Sequence, residues 1–319
     1  MRWQGREESS RVEDRRGVRG KGVAGIGGLG IVVLIVYTLM GGNPADLLQV
    51  IEGAPQQQTT QLYQESPEEE RLRKFSSVVL RETELVWADI FSRNGHRYQE
   101  PTLVIYSGQV QSGCGLASSG VGPFYCPRDQ RIYVDLSFYR ELQHRFKAPG
   151  DFAMAYVLAH EVGHHVQHQL GILEKVQALR SRMSQEEYNT YSVRLELQAD
   201  YLAGVWAHHV RNKGLLEQGD VEEAMAAASA VGDDAIQKQT RGYVQPETFT
   251  HGTSRQRMEW FMKGFRAGDL SQFSSQEEFM RQSVGRLPQL DFIQQSPPAE
   301  QKQSGLLSLL RKWLNWLKG

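Results

Sequence analysis

Tyr156-Val157-Leu158-Ala159-His160-Glu161-Val162-Gly163-His164-His165 is the stretch on which the reading of this chain turns. Its apolar run predicts a buried helix, and within it stands His-Glu-x-x-His. At 3.6 residues per turn, His160 and His164 project to one side and can grip a single metal ion. Glu161 lies beside the first ligand, placed to take a proton from a metal-activated water. Three fixed letters also arise by chance, so their surroundings carry the weight.

Asp151 is expected to cap this helix and Gly171 to end it. Ser184-Gln185-Glu186-Glu187 reads as a capping box that opens a second long helix, running to about Asn212. That second helix carries Glu196 and, one turn later, Asp200. A catalytic Zn2+ needs a third protein ligand, and Glu196 is the leading candidate, leaving a fourth position open. Asp200 is expected to accept the remaining imidazole N–H of a ligand histidine, fixing its tautomer. The blander reading, a surface Glu/His face on two packed helices, sits poorly with the apolar approach that carries His160 inside the fold.

The other histidines weigh less. His165 and His168 are turned away from His164 by about 100° and 40° and read as surface or hydrogen-bonding residues. His208 and His209 end the second helix, where they complement its dipole. His251 stands in the turn Phe249-Thr250-His251-Gly252-Thr253-Ser254 before a predicted helix. There it either donates to the oxyanion of a tetrahedral intermediate or serves as a turn residue.

The chain has 319 residues, 40% hydrophobic and 23% charged, with a formal net charge of -1, which suits one or two globular domains with appendages. With no long basic stripe and no aromatics interleaved with Arg or Lys, no nucleic-acid partner is expected. Positive charge is concentrated in residues 1–21, which hold Arg2, Arg6, Arg11, Arg15, Arg16, Arg19 and Lys21; 22–42 then run without a charge. About twenty such residues can cross a bilayer, so 22–42 read as a transmembrane helix with the basic flank in the cytoplasm. A cleaved signal peptide competes, but the apolar stretch is longer than a usual h-region and no Ala-x-Ala site follows. Everything after Gly42 is then expected across the membrane. There Cys114 and Cys126, in a Gly-rich stretch, should form a disulfide rather than remain two buried thiols.

Residues 43–67 are rich in Gln, Pro, Thr and Ser and read as a linker. A compact domain is expected over 68–287, a second polar linker over 288–304 and an amphipathic helix over 305–319. In that last helix Leu306, Leu309, Leu310, Trp313, Leu314 and Leu317 share one face, opposite Arg311, Lys312 and Lys318. It reads as a membrane-surface helix in preference to a docked element, which gives membrane contact through 22–42 and 305–318. Within the domain, Pro67 opens a helix to about Arg93, while Thr102–Tyr106 and Arg131–Leu136 read as strands. Shorter helical patterns follow at 219–230, 233–239, 254–265 and 275–282. The expected class is α+β, mostly helical with a small β-sheet, preceded by one transmembrane helix.

At these residues the chain resembles the putative neutral zinc metallopeptidase family, the YpfJ-type proteins. The resemblance rests on Gly150 to Gln167 with its His-Glu-x-x-His, on Glu196-Leu197-Gln198-Ala199-Asp200, on Ala203-Gly204-Val205-Trp206, and on Phe249-Thr250-His251-Gly252-Thr253-Ser254-Arg255-Gln256-Arg257. It covers nearly everything from residue 1 to about 274. It implies a zincin-like, gluzincin-like domain of a single-pass bacterial cell-membrane protein, extracytoplasmic, with His160, His164 and Glu196 as zinc ligands and Glu161 as base. The motif order is also similar to that of HtpX-type membrane metalloproteases, which picks out His251 and Arg257. Members often carry Cys where this chain has Tyr201 and again near Phe273; both are absent here.

The function expected is therefore hydrolysis of peptide bonds in a protein or peptide substrate, with Glu161 as general base and His251 helping to hold the oxyanion. The strand Ile132–Leu136 is expected to pair with an extended substrate. Two rivals are a catalytically silent, zinc-stabilised scaffold at the membrane surface and a hydrolase of non-peptide bonds.

Overall fold

The computed structural model describes residues 1–17 and 63–270. Met1–Arg15 and the chain from Ser66 form one compact unit. Arg16–Glu65 form another, in which the Arg16 guanidinium donates to the Tyr63 hydroxyl at 3.2 Å and to Glu65 at 2.5 Å.

The first unit is mostly helical α+β. Its described residues form a four-stranded sheet of β1 (Val12–Asp14), β2 (Thr102–Tyr106), β5 (Phe124–Cys126) and β6 (Arg131–Asp135), in the order β1-β2-β6-β5. The first three in that order are mutually parallel and β5 runs antiparallel to β6, with Tyr125 opposite Ile132. Side chains alternate across the sheet. Leu103, Ile105, Ile132 and Val134 enter the main core, while Val104, Tyr106, Tyr133 and Cys126 face a smaller cluster. That cluster is covered by a hairpin of β3 (Gln109–Ser112) and β4 (Gly115–Ser118), and the Cys114–Cys126 disulfide ties the hairpin to β5.

The helices are α1 (Pro67–Arg93), α2 (Ser137–His144), α3 (Asp151–Gln169), α4 (Ile172–Gln177), α5 (Gln185–Asn212), α6 (Asp220–Ala230), α7 (Asp233–Arg241) and α8 (Ser254–Ala267). Ser66, Ser184 and Thr253 each close a capping box at the start of α1, α5 and α8. α3 is buried along nearly its whole length from Phe152 to Gly163, so it needs no polar face. Gly150, at φ 108°, is the N-cap of α3; the side chain of Asp151 instead accepts from Trp3 Nε1 at 3.1 Å and from the Met1 amino group at 3.2 Å.

Two close crossings set the positions of α5 and α8. A Cβ on Gly163 would stand 3.0 Å from the Ala199 carbonyl oxygen, so this glycine inside the histidine motif lets the α5 backbone lie against α3. A Cβ on Gly264 would meet the Tyr201 carbonyl oxygen at 1.9 Å, and one on Gly204 the Phe261 carbonyl oxygen at 2.1 Å. Where the resemblance leads one to expect a cysteine, buried Tyr201 donates its hydroxyl to the Asp269 carbonyl at 2.9 Å.

The membrane topology expected from the sequence is overturned. Residues 1–15 pack on the unit that holds the histidine motif: Met1 and Trp3 are buried, β1 extends the sheet beside β2, and the Met1 amino group lies 3.0 Å from Asp220. One crossing between them would separate residues that touch, so a cytoplasmic N-terminus with an extracytoplasmic catalytic domain is excluded. The arginines that suggested it are partners in the fold, Arg6 with Glu82, Arg11 with Glu100 and Arg15 with Glu13. Among the described residues no helix is long and apolar enough to cross a membrane. The segments 22–42 and 305–319, the helix at 275–282 and the linker 288–304 lie outside the described residues.

Candidate metal centre

His160 and His164 stand one turn apart on α3 with ring centroids 4.8 Å apart. Glu196 on α5 reaches both, with Oε2 3.1 Å from His160 Nε2 and Oε1 3.4 Å from His164 Nε2. One ligand atom from each of the three residues lies within 4.8 Å of the other two.

Each imidazole is held from behind. His160 Nδ1–H donates to Asp200 Oδ1 at 2.8 Å, and His164 Nδ1–H donates to Gln167 Oε1 at 2.9 Å, so both Nε2 atoms are directed to the shared centre. Gln167 is itself fixed by donating to the Leu195 carbonyl at 2.7 Å and to Gln198 at 2.9 Å. Asp200 is fully buried and also accepts from the Tyr156 hydroxyl at 2.5 Å and from Arg257 Nε and Nη2, both at 2.9 Å. Sequence reading found Asp200 but passed over Gln167 and Tyr156. Helical spacing carried both signals, since Gln167 follows His164 by three residues and Tyr156 precedes His160 by four.

Electrostatics favour a cation at this point. Burial opposes charge on His160, but Asp200 and Glu196 outweigh it and raise its pKa to about 9. Burial likewise opposes charge on His164, and Glu196 raises its pKa. Burial would raise the Glu196 carboxyl, yet His164, His251 and His160 hold it well below the usual range. Burial does raise Glu161, against the pull of His164 and His160 and of the Tyr125 backbone N–H. Two oriented imidazoles and one ionised carboxylate are a donor set that fits zinc.

His251 lies across the cleft, half-exposed, in the loop before α8. Asp233, a residue the sequence reading did not single out, organises that loop: its Oδ2 accepts the backbone N–H groups of Thr250, His251 and Gly252 at 2.7, 2.6 and 3.1 Å. Its Oδ1 lies 3.2 Å from His251 Nδ1. Desolvation opposes charge on His251, but Glu196 and Asp233 raise its pKa.

A family model for putative neutral zinc metallopeptidases matches residues 1–276. The chain belongs to that family. Zinc is the metal of the putative neutral zinc metallopeptidases. The uncharacterized protein YpfJ of Escherichia coli K12 is 49% identical over 281 residues, which cover 85% of this chain and 97% of YpfJ. The uncharacterized protein Mb2605 of Mycobacterium bovis is 46% identical over 183 residues, 54% of this chain and 61% of that protein. No solved structure matches.

The remaining histidines of this family member do not join the centre. His208 Nδ1–H and His209 Nε2–H donate to the carbonyls of Phe265 and Gly268, both at 2.9 Å, and His168 pairs with Glu174. His165 is fully buried between the rings of Tyr98 and Tyr125. Its Nε2–H donates to the Gln99 carbonyl at 2.6 Å and its Nδ1 lies 2.9 Å from the Tyr125 hydroxyl.

Burial lowers the His165 pKa from 6.5 to about 4. Between those values the unfolded chain binds a proton that the native state refuses, so stability is complete above pH 6.5 and is lost as pH falls towards 4. The slope should approach about 1.4 kcal/mol per pH unit. Urea denaturation of metal-free protein from pH 7 to 5, beside the His165→Gln variant, should show that slope as the difference between the two curves. Parallel curves would rule out this ring as its source.

Proposed function

We propose that this chain hydrolyses peptide bonds, with His160, His164 and Glu196 as zinc ligands, Glu161 as general base and His251 as an oxyanion donor. The observation that carries the reading is the convergence of three ligand atoms on one point beside Glu161, in a cleft of about 410 Å3 that also presents His251. Bound zinc supplies a Lewis acid that polarises a carbonyl and lowers the pKa of a water towards about 7.

The rest falls to the chain's own residues. Glu161, ionised beside the histidines, takes a proton from the attacking water and passes it to the leaving amine nitrogen. In the metal-free site burial raises its pKa above the ordinary carboxylate value. His251 donates to the carbonyl oxygen as charge develops there, and Asp233 holds the imidazole in place. Asp200, with Arg257 and Tyr156 against it, and Gln167 keep the ligand rings from turning.

Substrate pairing belongs to β5 rather than to Ile132–Leu136. β6 is flanked by β2 and β5, so its backbone groups are already matched, whereas β5 is the sheet edge beside the cleft. The Tyr125 backbone N–H of that edge faces Glu161. An extended peptide laid along β5 would therefore pass the base.

Full-length protein, zinc-loaded, should cleave a denatured protein, lose that activity on chelation and regain it with added zinc. Cleavage that survives complete removal of the metal would overturn the proposal. A protein that is stabilised by zinc and never cleaves would instead be the scaffold.

A further inference from the structure

We infer that the cleft selects peptides carrying a bulky apolar side chain, of phenylalanine or leucine type, beside the scissile bond, and that Phe138, Phe146 and Val157 form the pocket that receives it. The inference rests on the peptidase reading above. Its first support is that the charged groups lining the cleft already have partners. Glu196 lies against His160 and His164, and Glu161 against the Tyr125 N–H. His251 faces Asp233, and Arg257 gives its N–H groups to Asp200, the Tyr156 hydroxyl and the Val231 carbonyl. Apart from Glu161 and His251, which the proposed reaction itself uses, none of these is left to neutralise a charged substrate side chain. The Tyr125 hydroxyl is likewise committed, to His165.

Most of the remaining lining is apolar, with Val121, Phe124, Phe138, Phe146, Val157 and Ile236 among its members. Val157 precedes Glu161 by one helical turn and so lies on the same side of α3 as the base. The Phe138 and Phe146 rings stand 6.2 Å apart, and Phe138 closes against Gly122, where a Cβ would lie 3.6 Å from the ring. Gly122 belongs to the loop that the Cys114–Cys126 disulfide closes, so this wall is tethered at both ends. A large apolar side chain leaves water on entering such a pocket. A carboxylate or ammonium would lose its hydration with no counter-charge in return.

The test uses full-length, zinc-loaded Glu161→Gln protein, so that binding is read without turnover. Fluorescent peptides identical except for one central residue, Phe, Leu, Ala, Asp or Lys, are titrated against it, and wild-type cleavage of the same peptides is followed in parallel. Phe and Leu peptides should bind at least about tenfold more tightly than the Ala, Asp and Lys peptides. Adding Phe146→Ala should remove most of that preference with zinc content unchanged, and the milder Phe138→Leu should reduce it. Equal binding of all five peptides, a preference for a charged residue, or a preference indifferent to both Phe variants would overturn the inference. Cleavage without side-chain preference overturns the inference alone, and selective binding without any wild-type cleavage overturns the peptidase reading.

Discussion

Glu161→Gln should lower peptide hydrolysis by about 10²–10⁴-fold while zinc content stays at the wild-type level. The substitution is nearly isosteric, which matters because Glu161 is buried and packing there tolerates little change. A glutamine oxygen can still accept from the Tyr125 N–H, so the local structure has no reason to move. What the amide cannot do is accept the water's proton. His160, His164 and Glu196 are untouched, and the metal should be retained. Since only the ionised form is a base, the wild-type rate should fall on the acid side as Glu161 takes up a proton. Initial rates against pH, with metal content measured on the same samples, check both statements. A glutamine variant with more than about a tenth of wild-type activity would remove Glu161 from the role.

Local signals were read where local physics decides. The capping box at Ser184, the proline that opens α1, the buried run before His160 and the helical spacing of Glu196 and Asp200 all act over a few residues, and the structure brings His160, His164, Glu196 and Asp200 together. The sheet was half legible. Thr102–Tyr106 and Arg131–Asp135 are interior strands with unbroken β-rich runs, whereas β1 is three residues in an arginine-rich segment and becomes a strand only by pairing with β2 about ninety residues later. The hairpin β3–β4 hides in a glycine-rich stretch whose order comes from the disulfide and from packing on Tyr133 and Tyr106.

The topology error has the same origin. The positive-inside rule reads arginines as though they faced water, and it cannot see that Arg6 and Arg11 meet carboxylates from distant segments and Arg15 that of Glu13, two residues before it. Asp233 escaped notice for a related reason. It lies 18 residues before His251, and only the tertiary fold sets its carboxylate under that loop.

Asp200→Leu should be the most destabilising single change at the centre. Four donors converge on this fully buried carboxylate, His160 Nδ1–H, the Tyr156 hydroxyl and two N–H groups of Arg257. Arg257 is itself buried, so removing Asp200 leaves a guanidinium in the core without its counter-charge, at a cost of about 3–5 kcal/mol. His160 would also lose the acceptor that fixes its tautomer, which should weaken zinc binding by about 10–100-fold. These two effects can be separated. Replacing Arg257 with Met in the Asp200→Leu background removes the stranded charge, so chemical denaturation of the metal-free double variant should return most of the lost stability. Zinc affinity, measured by chelator competition, should not return, because the His160 ring is still unheld. If the double variant bound zinc as tightly as wild type, Asp200 would be there only to neutralise Arg257, and the orientation of His160 would have to come from Glu196 and packing alone.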